Sequence, residues 1–152
     1  MSVDARLAEL GIELPEAAAP VAAYVPVVVH DGVAYVSGQL PFVNGQLVKG
    51  RLGENVPLED GVAAARACGL MILAQLKAAL GSLDRVERVI KLGGFVSSTA
   101  DFEAQPKVAN GASELMVEVF GDAGRHARSA VGVPVLPLSA AVEVDAIVAI
   151  RD

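Results

Sequence analysis

The run most able to do chemistry is Gly124-Arg125-His126-Ala127-Arg128-Ser129-Ala130-Val131, followed by Leu136-Pro137 and then Val142-Glu143-Val144-Asp145-Ala146-Ile147. Arg128 stands at the mouth of an apolar, strand-like stretch. A guanidinium there is costly to bury unless it meets an anion. Its planar fork suits a carboxylate held by two parallel hydrogen bonds. A structural ion pair with Glu143 or Asp145 would satisfy the same cation, and the local pattern leaves both readings open. Glu143 and Asp145 are two apart on a predicted strand, so they share a face. Paired carboxylates can divide acid and base roles, because like charges push their pKa values apart; a solvated strand face carries the same pattern. His126 is close enough to Arg128 in the chain to serve as a proton shuttle.

Other chemistries find little support. Neither His30 nor His126 has a companion at metal-ligand spacing, so no metal site is expected. Gly45–Gly53 contains neither GxxxxGK(S/T) nor GxGxxG, which leaves nucleotide binding without a motif. Ser37, in Val36-Ser37-Gly38-Gln39, lacks the GxSxG elbow of a hydrolase triad. Cys68 is the only cysteine. It lies in a helical pattern and reads as a core residue, compatible with a reducing compartment. The net charge is −6 and the basic residues form no stripe, which argues against a nucleic-acid partner. The longest uncharged runs, Ala17–Val29 and Ser129–Val142, are broken by Gly and Pro and fall short of the roughly 20 residues a membrane span needs. Charges at Asp4, Arg6 and Glu9 do not fit a signal peptide, so a cytoplasmic location is expected.

The elements that must position these groups can be read from pattern. The 152 residues suit one domain, 1–152, of which 1–20 form a leading helix and connector. Hydrophobic residues make up 53% and aromatics only 4%, so the core packs with small side chains. Val3–Leu10 has helical spacing and Glu13–Pro20 reads as a connector. Val27–His30 and Val33–Ser37 form a hairpin about Asp31-Gly32, and Asn44-Gly45 marks a second tight turn. Pro57, Glu59 and Asp60 open a helix over Leu58–Leu80 that Gly81 stops. Val86–Ser98 reads as a strand, with a bulge or close approach at Gly93-Gly94. Pro106–Phe120 is a second helix closed by Gly121. Strands follow at Ala127–Val135 and Val142–Ile150. This order predicts an α+β fold: one mixed sheet with two long helices on one face. The last two strands carry apolar residues at both parities, so both sheet faces want burial. Self-association with closed cyclic symmetry supplies the missing cover; an ordinary wet face is the alternative.

These segments together resemble the Rid/YjgF (L-PSP) family over nearly the whole chain. The resemblance rests on Tyr24 ahead of the first strand, on Val36-Ser37-Gly38-Gln39-Leu40-Pro41, and on Asn110 in the second helix. It rests also on Ala127-Arg128-Ser129 through Leu136-Pro137, and on Glu143-Val144-Asp145-Ala146-Ile147. It implies a chorismate-mutase-like subunit, a homotrimer around a central barrel, and sites at subunit interfaces. It also implies hydrolysis of reactive enamines and imines to a keto acid and ammonia, without cofactor or metal. Carried over residue by residue, Arg128 grips the substrate carboxylate, and Tyr24, Asn110 and the Ala130 backbone bind substrate. Asp145 and Ser37 become the catalytic candidates. Two positions depart from the family pattern: Asp145 replaces a water-holding Glu and is one methylene shorter, and Ala130 stands where a Cys often follows Arg-Ser. A trimeric metabolite sensor without turnover and an endoribonuclease are the competing readings.

Overall fold

The computed structural model describes residues 1–20 and 22–152. Helix α1 (Val3–Glu9) is capped by Ser2, whose Oγ accepts from the Ala5 N–H. Strands β1 (Val27–His30) and β2 (Val33–Gln39) are joined through Asp31 and Gly32, both at positive φ, 49° and 75°. That turn matches the twist of the strands it joins. Asn44 and Gly45, at 51° and 78°, do the same between β3 (Phe42–Val43) and β4 (Gln46–Leu47), which form a separate ribbon. Helix α2 (Leu58–Leu80) ends at Gly81, φ 84°. Strand β5 (Val86–Ser97), helix α3 (Gln105–Phe120), strand β6 (Ala127–Val133) and strand β7 (Val142–Ile150) complete the chain.

The main sheet runs β1-β2-β7-β5-β6. Only β5 and β6 are parallel; the other neighbours are antiparallel. Both long helices lie on one face, α2 over β2 and β7 and α3 over β5 and β6, and they pack against each other. The fold is therefore the expected α+β arrangement with a mixed sheet. In β7, Val142, Val144, Ala146, Val148 and Ile150 are buried, and Glu143, Asp145, Ile147 and Ala149 alternate with them on the other face. Helix α2 is long and apolar enough to cross a membrane, but 61% of its most hydropathic window is buried inside the fold, as befits a core helix.

Of the two roles expected for Gly93-Gly94, the structure has the close approach, and strand β6 is shorter than expected. Gly93-Gly94 is not a bulge: pairing of Lys91–Ser97 with β6 is unbroken, and the irregularities lie at Val86/Arg88 and Val89/Lys91. The glycines serve close approach instead. A Cβ on Gly93 would strike the Asp145 carboxylate, and one on Gly94 would lie 3.3 Å from the Ala109 Cβ. Strand β6 stops at Val133, and as an edge strand it leaves Val131 exposed.

Candidate functional site

Arg128 is the second residue of β6. It pairs with Leu92, which pairs in turn with Ala146. Leu92 and Ala146 are buried on the helix side, so alternation along the strands sends Arg128 beneath α3. Its Nη1 donates to Asn110 Oδ1 at 2.8 Å and to Ser113 Oγ at 3.1 Å, and its Nη2 donates to the Pro106 carbonyl at 3.3 Å. Asn110 and Ser113 are three apart on α3 and present one face. All three acceptors are neutral. The ion pair with Glu143 or Asp145 is not formed, and among the described residues no carboxylate lies within ion-pair distance of Arg128. Of the five guanidinium donors, two remain for a ligand, the number a bidentate carboxylate takes.

His126 sits beside this cation. Its Nε2 is 2.8 Å from Ser113 Oγ and its Nδ1 is 2.6 Å from the Gly124 carbonyl. Gly124 closes the short 3-10 turn Gly121–Gly124, which lies so near α3 that a Cβ there would meet the Met116 carbonyl. Between α3 and the segment Arg125–Arg128 opens a cleft of about 620 Å³, lined among others by Ser113, Glu114, Val117, His126 and Arg128. Glu118, also on its wall, is engaged by Arg66 at 3.3 Å.

Asp145 is elsewhere. It pairs with Gly93, on the sheet face away from the helices, and its carboxylate occupies the space a side chain at Gly93 would need. Glu143 uses Gly38 in the same way. Burial holds both carboxyls above their ordinary range. The charge of Asp145 pushes Glu143 further, whereas the Gly93 backbone and Lys91 draw Asp145 back. Ser37 Oγ donates to the Val25 carbonyl at 2.9 Å and so orders the approach to β1. Tyr24 is exposed just ahead of β1, at the sheet edge opposite β6. Ala130 lies two residues after Arg128 and pairs with Gly94. The chain thus joins Arg128 to Asn110, and holds Tyr24, Ser37 and Asp145 apart from them. Ser113 was missed from sequence; its one signal is the three-residue spacing from Asn110. Cys68 is fully buried, and burial raises its thiol well above the ordinary range. Among the described residues no group of three or more His, Cys, Asp or Glu could hold a metal ion.

A family model described as "YjgF/chorismate_mutase-like, putative endoribonuclease" matches residues 4–149. Protein TCP17 of Trypanosoma cruzi is 53% identical over 152 residues, spanning 99% of this chain and 95% of that protein. The crystal structure of Atu1372 from Agrobacterium tumefaciens, described as a protein of unknown function, is 49% identical. It superposes with a TM-score of 0.91 over 98% of this chain and 92% of that one. RidA from an Antarctic Psychrobacter is 28% identical, with a TM-score of 0.63 over 89% of this chain and 94% of that one.

Proposed function

The chain belongs to the Rid/YjgF family, and on that premise we propose that it hydrolyses small carboxylated imines or enamines to a keto acid and ammonia, as a homotrimer. The observation that carries this reading is Arg128: a cation over a cleft, held by three neutral acceptors, with two donors left for a carboxylate. A protonated imine carbon is already electrophilic, so the site must orient it against a water and take up the proton that the water releases. The trimer supplies what one subunit lacks. Tyr24 and Arg128 lie at opposite sheet edges, so they can share a pocket only if the β1 end of one copy meets the β6 edge of the next. Closed rings of identical copies make such heterologous contacts without open polymers.

A second reading, a trimeric sensor of carboxylated metabolites without turnover, draws on Asp145, which faces away from Arg128 within the subunit. A coupled assay decides between them, with imines generated in situ from several amino acids by an amino-acid oxidase. Wild type is expected to accelerate keto-acid release. Arg128→Lys keeps the charge and loses the fork, about 2 kcal/mol of charge-assisted hydrogen bonding, so kcat/KM should fall about thirtyfold. Carboxylate binding without turnover by wild type would favour the sensor. RNA cleavage by highly purified protein that vanishes in Arg128→Ala would overturn both readings in favour of a ribonuclease.

A further inference from the structure

We propose that Ser113 and His126 form the proton relay of the Arg128 cleft, which rests on the imine-hydrolase reading and adds the base that reading needs. The hydrogens of this cluster follow from the groups at its two ends. The Gly124 carbonyl can only accept, so His126 Nδ1 carries the proton in the 2.6 Å contact. A neutral imidazole then has its lone pair on Nε2. At the other end Arg128 can only donate, so Ser113 Oγ accepts from Nη1 at 3.1 Å. The Ser113 proton is left facing Nε2 at 2.8 Å. The result is a directed chain, from Arg128 N–H to Ser113 Oγ–H to His126 Nε2. It ends in an available base one hydroxyl away from the group that would grip the substrate. The carbonyl on Nδ1 fixes the tautomer and ring orientation, and its hydrogen bond is kept when Nε2 takes a proton.

The carboxylates offer no equivalent. Asp145 and Glu143 face the other side of the sheet, Glu118 is engaged by Arg66, and Glu114, on the cleft wall, is hydrogen-bonded to none of Ser113, His126 and Arg128.

The steps balance with water as the only co-reactant. As the water oxygen bonds to the carbon of the protonated imine, one water proton passes to Ser113 while the Ser113 proton passes to Nε2. The C=N π pair withdraws onto nitrogen and leaves a neutral carbinolamine beside an imidazolium. The relay then runs backwards and protonates the amine. The C–N bond breaks with its electron pair leaving on ammonia, the hydroxyl proton returns to the relay as C=O forms, and ammonia takes up that proton as ammonium. Arg128 neutralises the substrate carboxylate throughout.

The test measures kcat and KM in the coupled assay for wild type, His126→Ala, His126→Gln, Ser113→Ala and Arg128→Ala, with and without added imidazole. Positioned acid–base groups contribute about 100-fold or more, so kcat of both His126 variants should fall about 100-fold. KM should stay within about threefold, because Arg128 is retained. Imidazole should restore His126→Ala and leave Arg128→Ala inactive. Ser113→Ala should lose roughly tenfold, since a water can bridge the gap it leaves. A His126→Ala protein with wild-type kcat, or one impaired but unmoved by imidazole, would overturn the relay and leave the hydrolase reading standing. Wild type that binds pyruvate but turns over no imine would instead overturn the hydrolase reading, and the relay as a step within it. Should His126→Ala fail to fold by circular dichroism, His126→Gln decides: wild-type kcat there overturns the relay.

Discussion

Gly38 and Gly93 make room on the open sheet face for two carboxylates that water only half reaches. The consequence for stability has a definite sign. The raised Glu143 carboxyl binds its proton more tightly in the folded subunit than in the unfolded chain. Its stabilising contribution is complete below the ordinary carboxylate pKa and is lost as pH rises through the folded value. Glu143→Gln removes that loss. Thermal melts should show the variant about 2 °C above wild type at pH 8, with the gap closing near pH 4. A gap independent of pH would place the effect in packing and not in titration. Arg128 itself was legible in sequence as an anion-binding candidate. Of its partners, the resemblance named Asn110 as a site residue; Pro106 and Ser113 were not legible, because they lie far from Arg128 in the chain and reach it only through the β5-α3-β6 crossover.

Helix α3 holds most of the contacts around Arg128, so its seat on α2 governs the site. A Cβ on Gly111 would run into the Val62 carbonyl, and one on Gly69 would lie 2.9 Å from Leu115 Cδ2. The helices therefore approach almost backbone to backbone. Gly111→Ala should destabilise the protein by about 1–3 kcal/mol through overpacking, read as a lower urea midpoint. Because Asn110 is its chain neighbour and Ser113 lies two residues on, the same variant should also weaken pyruvate binding at concentrations where it remains folded. Helix α2 could be placed from Pro57, the acidic first turn and Gly81, since those signals are local. The closeness of α2 and α3 could not, because Gly111 in a helical run looks the same whether its open side meets solvent or another helix.

The main sheet has helices on one side only, and its other side carries Val28 and Tyr35 beside the half-buried Ile147, with Val131 farther along opposite Phe95; Val28, Tyr35 and Val131 are each 45–50% exposed. Val28 pairs with Tyr35, and Tyr35 with Ile147, so these three form one apolar row across three strands. Burying that row in a closed ring would remove apolar surface that a lone subunit leaves in water. Light scattering should give a mass three times the 15.6 kDa of the chain at micromolar concentration. Tyr35→Glu, which sets a charge in the middle of the row, should shift the population towards single subunits. A wild-type protein that remains monomeric would remove the shared-site arrangement of Tyr24 and Arg128.

The sequence by itself determined the family, the α+β class, the positions of the long helices and the strands beside them, and the choice of Arg128. These follow from local signals: hydrophobic period, Pro and Gly at helix ends, Asp-Gly and Asn-Gly turns, and a short signature read in order. Only the tertiary structure decided which candidates meet. Arg128 and Asp145 belong to one signature, yet the register of β5 with its two neighbours sends them to opposite faces, since Leu92 aligns with the first and Gly93 with the second. The seat of α3 over β6 brings Ser113 to the Arg128 guanidinium and to His126, thirteen residues on. A side chain's face is set by which residue its strand pairs with, and that pairing is fixed by long-range packing that no local pattern encodes.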